Sequence, residues 1–230
     1  MKIALISDIH GNYPALQAVI ERVRKENCDL ILSLGDIAGY YCMINECIDL
    51  CQRNEIVNIL GNHDDYLVSS TVCPRSTTAN ICIEFQRKVI TPENLEWLQK
   101  SIREYRNLDY WFVHGGWNDL LDEYVGSFDF EGMSDCEATL FASGHTHIQK
   151  ILTFKGLTYV NPGSVGQPRD GDPRAAFAII NSSGDVSLCR EEYDIDRIAF
   201  AMKENGFESR FYEGLYSGKK IKPFDKQRGK

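Results

Sequence analysis

Short apolar runs alternate with amphipathic helical patterns along the first quarter of the chain. The runs "KIALIS" (2–7), "DLILSL" (29–34) and "IVNIL" (56–60) have the length and composition of buried strands. Between the first two, residues 12–27 carry apolar side chains on one helical face behind Asn12, a good N-cap residue. A second helical spacing joins Ile44, Cys47, Ile48 and Cys51. This βαβαβ order predicts a sheet with parallel strands and right-handed crossovers.

The pattern changes in the middle of the chain. Residues 65–109 combine loop-like sequence with helical spacing, and we interpret them as a helical insertion beside the sheet edge. Strand-like runs resume at 110–113 and 138–143. Later runs flank Gly156 and "NSSGD" (181–185) as two hairpins, which would add antiparallel strands. The whole chain is thus predicted to form one α/β domain with mixed strands.

Charge is distributed unevenly along the 230 residues. The net charge of −8 does not favour a broad nucleic-acid-binding face or a stable nucleic-acid complex. A basic tail occupies about 217–230, with six Lys or Arg and one Asp from Lys219 onwards. A solvated, partly frayed tail is the favoured interpretation, and an anion-attracting arm is the alternative.

The eight cysteines do not form a recognisable disulfide or zinc pattern. No C-x-x-C occurs, and two of the cysteines fall on the apolar stripe of a predicted helix. The apolar run after Met1 and Lys2 is too short for a signal peptide, and no run approaches the ~18 residues of a membrane span. We therefore expect reduced, mostly buried thiols in a cytoplasmic protein without a membrane partner.

Polar residues with metal-binding chemistry follow each of five strand-like runs. Every histidine in the chain lies at such a position: His10, His63, His114, His145 and His147. The second run contributes no histidine but ends in Asp36. Because the carboxyl ends of parallel strands meet at one edge of a sheet, side chains distant in sequence should converge there.

The residues at these strand ends form a ligand set for divalent metals. Imidazole, carboxylate and amide oxygen without thiolate suit Mn, Fe, Zn or Ni. Seven candidate ligands occur: Asp8, His10, Asp36, Asn62, His114, His145 and His147. Seven are too many for one tetrahedral site, but a shared carboxylate would let them form two four-ligand sites. Two ions roughly 3.5–4 Å apart are a standard clamp for displacement at phosphorus.

Five sequence blocks carry a family resemblance. They are Asp8-Ile9-His10, Gly35-Asp36, Gly61-Asn62-His63-Asp64, His114 and Gly144-His145-Thr146-His147. Their order resembles that of the calcineurin-like metallophosphoesterases. "NPGSVGQPR" (161–169) resembles the small bacterial branch, which is dinucleoside-tetraphosphatase-like or phosphodiesterase-like. The resemblance implies a four-layer αββα sandwich of two mixed sheets, with a dinuclear metal site at the strand ends.

The resemblance also implies a role for each ligand. One metal would be held by Asp8, His10, Asp36 and His147. The other would be held by Asp36, as the bridge, with Asn62, His114 and His145. Two divalent ions are implied, with Mn favoured and Fe, Zn or Ni also suitable.

The implied reaction is hydrolysis of a phosphodiester or phosphoanhydride bond by a bridging hydroxide. His63 would face the substrate, stabilising the phosphoryl group or protonating the leaving oxygen. Asp64 would support catalysis without contacting the metals. A small phosphorylated substrate is expected, with nucleotides and dinucleoside polyphosphates among the candidates.

Several assignments remain open at the level of sequence. Arg169 is equally consistent with a substrate phosphate contact and with a loop ion pair. Asn12 is favoured as a helix cap, with substrate binding as the alternative. Four further residues near the metal-bearing loops are candidates for substrate contacts: Tyr40, Tyr41, Arg75 and Trp117.

Other activities within the same fold are weaker alternatives. Phosphomonoesterase or Ser/Thr protein phosphatase-like activity remains open, although "GDIAGYY" lacks the arginine of the protein phosphatases. Gly39 stands where the purple acid phosphatases have tyrosine, which favours two divalent ions. A binding scaffold of this fold is the non-enzymatic alternative. Because all seven ligand positions are filled, an enzyme is favoured over a scaffold.

Overall fold

Two mixed β-sheets, each with five strands, organise residues 1–221, the part of the chain that this computed structural model describes. The strands in chain order are β1 (Ile3–Ile6), β2 (Leu30–Ser33), β3 (Val57–Asn58), β4 (Tyr105–Arg106), β5 (Tyr110–Phe112), β6 (Leu140–Ala142), β7 (Lys150–Phe154), β8 (Leu157–Asn161), β9 (Ala175–Ile180) and β10 (Val186–Glu191). The first sheet has the order β10-β9-β1-β2-β3 and the second β4-β5-β6-β8-β7. This confirms the predicted α/β class with two mixed sheets.

Six α-helices accompany the strands within the described residues. They are α1 (Tyr13–Lys25), α2 (Ile44–Arg53), α3 (Asn62–Ser69), α4 (Thr77–Val89), α5 (Pro92–Gln99) and α6 (Ile195–Glu204). Two short 3-10 helices follow α6, at Ser209–Phe211 and Glu213–Ser217. The predicted insertion at 65–109 coincides with most of α3, all of α4 and α5, and β4.

The predicted βαβαβ unit is present at the start of the chain. Strands β1, β2 and β3 are mutually parallel, whereas β9 and β10 join the sheet in antiparallel orientation as a hairpin. Asn12 caps α1, because its Oδ1 accepts a hydrogen bond from the Ala15 backbone N at 3.3 Å. The apolar face of α1, including Leu16, Val19 and Ile20, is buried against the first sheet.

The two sheets pack face to face around an aliphatic core. Ile3, Leu5 and Leu32 of the first sheet belong to the same buried cluster as Phe112 and Val160 of the second. Helices cover the outer face of the first sheet. On the outer face of the second sheet, the described chain provides a turn-rich segment at 115–138 instead of a helix. Its aromatic side chains pack on that sheet, among them Trp117, Phe128 and Phe130.

Some boundaries differ from the sequence prediction. Strand β3 is shorter than the predicted 56–60, and beyond its end Ile59 forms only an isolated parallel bridge with Ile102. Helix α3 starts at Asn62, before the predicted insertion at 65–109, and α6 was not predicted. Most of the predicted basic tail, residues 222–230, lies outside the described residues.

The cysteines follow the prediction. All eight are free thiols, five of them buried and three half-buried. No helix within residues 1–221 combines the length and apolar character needed to cross a bilayer.

Candidate metal centre

The loops after β1, β2, β5 and β6 meet at one edge of the two sheets, together with the N-terminus of α3. The backbone N of Asp8 donates to the Gly35 carbonyl at 2.9 Å, and the backbone N of His145 donates to Asp8 Oδ2 at 3.0 Å. All seven predicted ligands are buried at this edge: Asp8, His10, Asp36, Asn62, His114, His145 and His147. Residues that are up to 139 positions apart in the sequence (from 8 to 147) therefore form one site.

The backbone at the site is unusual in a way that no sequence motif requires. Five of the predicted ligands have positive φ, between 53° and 64°: Asp8, His10, Asp36, His145 and His147. Only nine non-glycine residues do so within residues 1–221. Such a conformation costs on the order of 1–3 kcal/mol for each residue and tends to cluster at functional sites. The backbone thus marks this edge as functional independently of the motifs.

The first donor cluster comprises Asp8, His10 and His147, whose ligand atoms lie within 4.8 Å of one another. His10 Nδ1 donates to the Ala38 carbonyl at 2.8 Å, and His147 Nδ1 donates to the Gln167 carbonyl at 2.7 Å. Because a carbonyl can only accept, each neutral ring carries its lone pair on Nε2. The two Nε2 atoms face each other at 3.1 Å.

This arrangement is unfavourable without a cation. Asp8 Oδ1 lies 3.2 Å from His147 Nε2 and is buried without a hydrogen-bond partner among residues 1–221. Three electron-pair donors that face one another repel, whereas a metal ion between them would satisfy all three. The residues of the first cluster therefore fit a divalent metal.

The second donor cluster comprises Asp36, His114 and His145, with Asn62 beside them. His114 Nδ1 donates to the Leu34 carbonyl at 2.7 Å, and His114 Nε2 lies 3.0 Å from Asn62 Oδ1. His145 Nε2 is buried and has no hydrogen-bond partner in the described part of the chain. An amide oxygen, a carboxylate and two imidazoles that converge in this way also fit a divalent metal.

One carboxylate oxygen faces both clusters. Asp36 Oδ2 lies 3.8 Å from His10 Nε2 and 3.5 Å from His114 Nε2. Asp36 Oδ1 accepts a hydrogen bond from the His63 backbone N at 2.8 Å, which fixes the carboxylate. The geometry also allows a third grouping of His10, Asp36 and His63. Asp36 thus lies where a bridging ligand would have to be.

The protonation states suit metal binding, with one exception. Burial raises the pKa of Asp36, but its electrostatic and hydrogen-bond interactions with the surrounding histidines, His114 first, outweigh burial and hold that pKa well below its usual range. Burial, the largest cause, lowers the pKa values of His10 and His147, and lowers that of His145 to about 3. These imidazoles are therefore neutral at neutral pH and have lone pairs to donate.

His114 is the exception among the ligand histidines. Burial lowers its pKa, but the carboxylate of Asp36 and that of Asp8 outweigh burial and raise it to about 9. In the metal-free protein a proton on His114 therefore offsets part of the negative charge of the two carboxylates. A metal ion that binds through His114 Nε2 has to displace this proton.

His63 lies at the pocket above the two clusters. Its ring centroid is 4.9 Å from that of His10 and 5.0 Å from that of Tyr40, and Nδ1 is buried without a hydrogen-bond partner. Burial, which outweighs the effect of Asp36, lowers the pKa of His63 to about 4. The structure places this imidazole at the pocket but does not assign it a role.

Asp64 lies behind the site and not at the pocket. Its carboxylate accepts hydrogen bonds from the backbone N atoms of Asp36 (2.9 Å), Ala38 (2.8 Å) and Gly61 (3.2 Å). Burial, followed by the charge of Asp36, raises its pKa to about 7. The side chain therefore ties the loop after β2 to the start of α3, which supports a structural role over direct catalysis.

The two predicted substrate contacts differ in position. Arg169 lines the pocket, where its Nη2 donates to Gln167 Oε1 at 2.6 Å and its guanidinium lies 5.5 Å from the Tyr40 ring centroid. The alternative ion pair with Asp170 is not formed, because Asp170 pairs with Arg190. A contact between Arg169 and substrate phosphate stays a prediction.

Asn12 is fully buried and its polar atoms are used within the fold. Besides capping α1, its Nδ2 donates to the Gly166 carbonyl at 2.9 Å and to the Tyr193 hydroxyl at 3.3 Å. The geometry favours the cap interpretation. A role in substrate binding stays a prediction without support from these contacts.

Other residues at the pocket were not singled out from the sequence. Tyr124 is half exposed and its ring centroid lies 4.1 Å from that of His145. Lys220 lines the same pocket, as do Arg75 and Tyr40 from the wider list of candidates. Lys220 lies in the predicted basic tail, for which an anion-attracting arm was the alternative interpretation. No pattern indicates Tyr124.

Comparison with known proteins agrees with this site. Residues 1–185 match the calcineurin-like phosphoesterase superfamily domain. The chain belongs to this family and is a phosphoesterase, which confirms the expected family and enzyme class. The family is metal-dependent, which agrees with the clustered donor atoms of this site.

Individual relatives cover different shares of the chain. An uncharacterised protein of Methanocaldococcus jannaschii is 31% identical and aligns over 94% of this chain and 98% of its own length. A symmetrical bis(5'-nucleosyl)-tetraphosphatase of Xylella fastidiosa is 31% identical over 50% of this chain and 42% of its own length. Phosphodiesterase YfcE of Escherichia coli is 21% identical over 86% of this chain and 98% of its own length.

The fold also resembles solved structures. A metallophosphoesterase of Sphaerobacter thermophilus superposes with a TM-score of 0.81 at 29% identity, covering 95% of this chain and 99% of that one. The chain thus has the fold of a metallophosphoesterase.

Proposed function

We propose that this phosphoesterase hydrolyses phosphodiester or phosphoanhydride bonds in small phosphorylated substrates with the help of two divalent ions. Asp8, His10, Asp36 and His147 would hold one ion. Asp36, Asn62, His114 and His145 would hold the other. The donor set suits Mn²⁺, which we favour, and also Fe, Zn or Ni. When bound, the ions would lower the pKa of a water molecule and neutralise charge on the phosphoryl oxygens.

One observation carries the two-ion proposal. Asp36 Oδ2 lies within 3.8 Å of an imidazole nitrogen in each donor cluster, so a single carboxylate serves both. A protein that binds one structural ion would have no need for the second cluster. The position of His63 beside them supports contact with the substrate, either with a phosphoryl oxygen or with the leaving oxygen.

The nature of the bond rests on the relatives. The names of two of them refer to a phosphodiesterase and to a tetraphosphatase that acts on bis-nucleosyl substrates. Diesters and anhydrides, including nucleotides and dinucleoside polyphosphates, are therefore preferred over monoesters.

A cytoplasmic location of the protein also stays a prediction.

Hydrolysis of chromogenic esters tests the proposal. The purified protein is first stripped of metal and then assayed with bis-p-nitrophenyl phosphate and p-nitrophenyl phosphate across Mn²⁺, Fe²⁺, Zn²⁺ and Ni²⁺. We expect Mn-dependent release of p-nitrophenol, faster from the diester, and about two bound ions per chain by elemental analysis. Asp36→Asn should lose most of both metal and activity.

The same assay can reject the proposal. One bound ion per chain with full activity would exclude the two-ion arrangement. If neither ester is hydrolysed with any of the metals at any pH, the non-enzymatic alternative, a binding scaffold of this fold, would be favoured. Faster hydrolysis of the monoester would move the assignment to phosphomonoesterase.

A further inference from the structure

Three cationic side chains from separate segments line the pocket that contains the donor clusters. Arg75 lies just before α4, Arg169 follows the 161–168 stretch, and Lys220 lies near the end of the described chain. Arg75 and Lys220 belong to none of the sequence blocks that carry the family resemblance. The fold therefore adds positive charge to the site beyond what the motifs contain.

Two of these three cations have no carboxylate partner among residues 1–221. Arg75 forms an ion pair with Asp122. Arg169 donates from Nε and Nη2 to the neutral Gln167 side chain, at 3.0 and 2.6 Å. Within residues 1–221, neither Arg169 nor Lys220 forms an ion pair, and the Lys220 side chain has no hydrogen-bond partner.

The cations are close enough to influence one another. Partial burial, followed by the charges of Arg169 and Arg75, lowers the pKa of Lys220. Like charges that converge on a pocket raise the free energy of the empty site and favour an anion in it. Lys220 is itself exposed to solvent but lines the pocket, whereas its exposed neighbour Lys219 does not.

A simple diester does not match this charge. It carries a single negative charge, located on the phosphoryl group over the donor clusters. Arg169 and Lys220 would then face the ester substituent, which has no charge. A substrate with a second phosphoryl group beside the first would place negative charge where these side chains are.

We propose that Arg169 and Lys220, with Arg75 beside them, form a subsite for a second phosphoryl group, so that the substrate is a phosphoanhydride such as a nucleoside diphosphate or a longer phosphate chain. This inference rests on the proposed function for its chemistry. Water adds to the phosphorus over the donor clusters, the bond to the bridging oxygen breaks, and its electron pair stays on the leaving phosphate. One proton of the water passes to solvent. The subsite stabilises the charge that develops on the leaving phosphate.

Two adenine nucleotides that differ by one phosphoryl group test the proposed subsite. Adenosine 5'-(α,β-methylene)diphosphate carries two phosphoryl groups and resists hydrolysis of the link between them, whereas AMP carries one. Their affinities are measured by isothermal titration calorimetry with excess Mn²⁺ and, separately, as inhibition constants against bis-p-nitrophenyl phosphate. Lys220→Met is compared with Lys219→Met, a matched change at the neighbouring exposed lysine.

The expected result is selective. Lys220→Met should weaken binding of the diphosphate analogue by about tenfold, the size of one lost charge-assisted contact. Its affinity for AMP should change less than twofold, and Lys219→Met should affect neither. Arg169→Gln should weaken binding of the diphosphate analogue more than binding of AMP. Wild-type protein should also hydrolyse ADP more efficiently than bis-p-nitrophenyl phosphate.

Other outcomes overturn the subsite. The proposal is wrong if Lys220→Met loses the same affinity for both nucleotides or loses affinity for neither. It is also wrong if Lys219→Met loses as much affinity as Lys220→Met, because Lys220 would then not contact the second phosphoryl group. These results differ from failure of the proposed function. If wild-type protein hydrolyses bis-p-nitrophenyl phosphate but the variants bind each nucleotide as tightly as wild type does, only the proposed subsite is wrong. If nothing is hydrolysed, calorimetry still reports on the subsite.

Discussion

The backbone of His63 supports a predicted metal ligand, whereas its ring, unlike the rings of the other four histidines, is not one of the seven predicted ligands. The backbone N donates to Asp36 Oδ1, whereas the ring lies at the pocket and its Nδ1 has no hydrogen-bond partner. The backbone contact survives a change of side chain. His63→Ala should therefore keep the Asp36 carboxylate in position and remove only the imidazole.

The prediction for His63→Ala is a loss of turnover with retention of metal. We expect kcat on bis-p-nitrophenyl phosphate to fall by about 100- to 10,000-fold, as for other positioned acid–base or hydrogen-bonding groups. Metal content by elemental analysis should stay at the wild-type level. Loss of one ion would instead identify His63 as a ligand in the third grouping with His10 and Asp36.

Gly61 shows how closely the backbone approaches the bridging position. A Cβ atom there would lie 2.1 Å from Asp36 Oδ1 and 2.2 Å from the Asp36 backbone N. The backbone of Gly61, with φ −90° and ψ 169°, suits any residue, so the constraint is steric and not conformational. Asp36 can accommodate a larger residue at this position only by moving.

Gly61→Ala should accordingly impair metal binding. We expect metal affinity to fall by about 10- to 100-fold, in the range seen when the support of a ligand is disturbed. Gly126→Ala is the matched control, since a Cβ at Gly126 would meet nothing within 4 Å. Competition with a fluorescent chelator measures both variants. Equal affinity in Gly61→Ala and wild type would mean that Asp36 does not need its present position.

At the scale of elements, the helices and strands with clear periodicity follow from the sequence, and irregular ones do not. Helix α1 could be predicted because a good N-cap residue, Asn12, is followed by apolar residues at helical spacing. In the structure Asn12 caps the helix and these apolar residues are buried. The start of α3 was missed because Gly61 and Asn62 are typical of turns. Helix α6 has a cap, Asp194, and apolar residues at helical spacing, so the signal was present but was not used.

The start of α3 depends on Asp64, a contact that no local pattern reveals. Three backbone N–H groups from two loops converge on its carboxylate. Asp64→Ala leaves these buried donors without an acceptor and should lower the free energy of unfolding by roughly 2–4 kcal/mol. Urea unfolding of the metal-free protein measures it.

The neighbouring residue offers a control for Asp64. Asp65 occupies the same first turn of α3 and is half-buried. Asp65→Ala should lose only the interaction with the helix dipole, about 0.3–1 kcal/mol. Similar losses in both variants would show that the helix terminus as a whole, and not the Asp64 contacts, determines the stability.

At the scale of the whole molecule, the sequence predicts the metal donors better than the pocket around them. The seven predicted ligands follow strands whose carboxyl ends the parallel arrangement brings together, so their convergence could be expected from topology. Arg75, Tyr124 and Lys220 come from irregular segments and reach the pocket only through tertiary packing. The turn-rich layer at 115–138 could not be predicted for the same reason.

The distribution of the cysteines allows the packing of the whole molecule to be tested. Four lie in the core between the helices and the first sheet: Cys42, Cys47, Cys51 and Cys82. Burial raises the pKa of each, that of Cys42 to about 12. Of the other four, Cys73 contacts this core where it lines the pocket, Cys28 and Cys189 pack against the core but are only half-buried, and the half-buried Cys136 packs on the second sheet. Thiol reactivity should therefore divide the eight into two groups.

We expect at most four fast equivalents when the native protein reacts with Ellman's reagent, and eight in guanidinium chloride. Since the thiolate is the reactive form, the four core thiols (Cys42, Cys47, Cys51 and Cys82) should react only as fast as the core opens. Cys136→Ser should remove one fast equivalent, whereas Cys47→Ser should remove none. Fast labelling of Cys47 or Cys51, identified by peptide mass spectrometry, would show that α2 separates from the sheet without global unfolding. In that case the loop after β2, which carries Asp36, would not be held as rigidly as the metal-site predictions require.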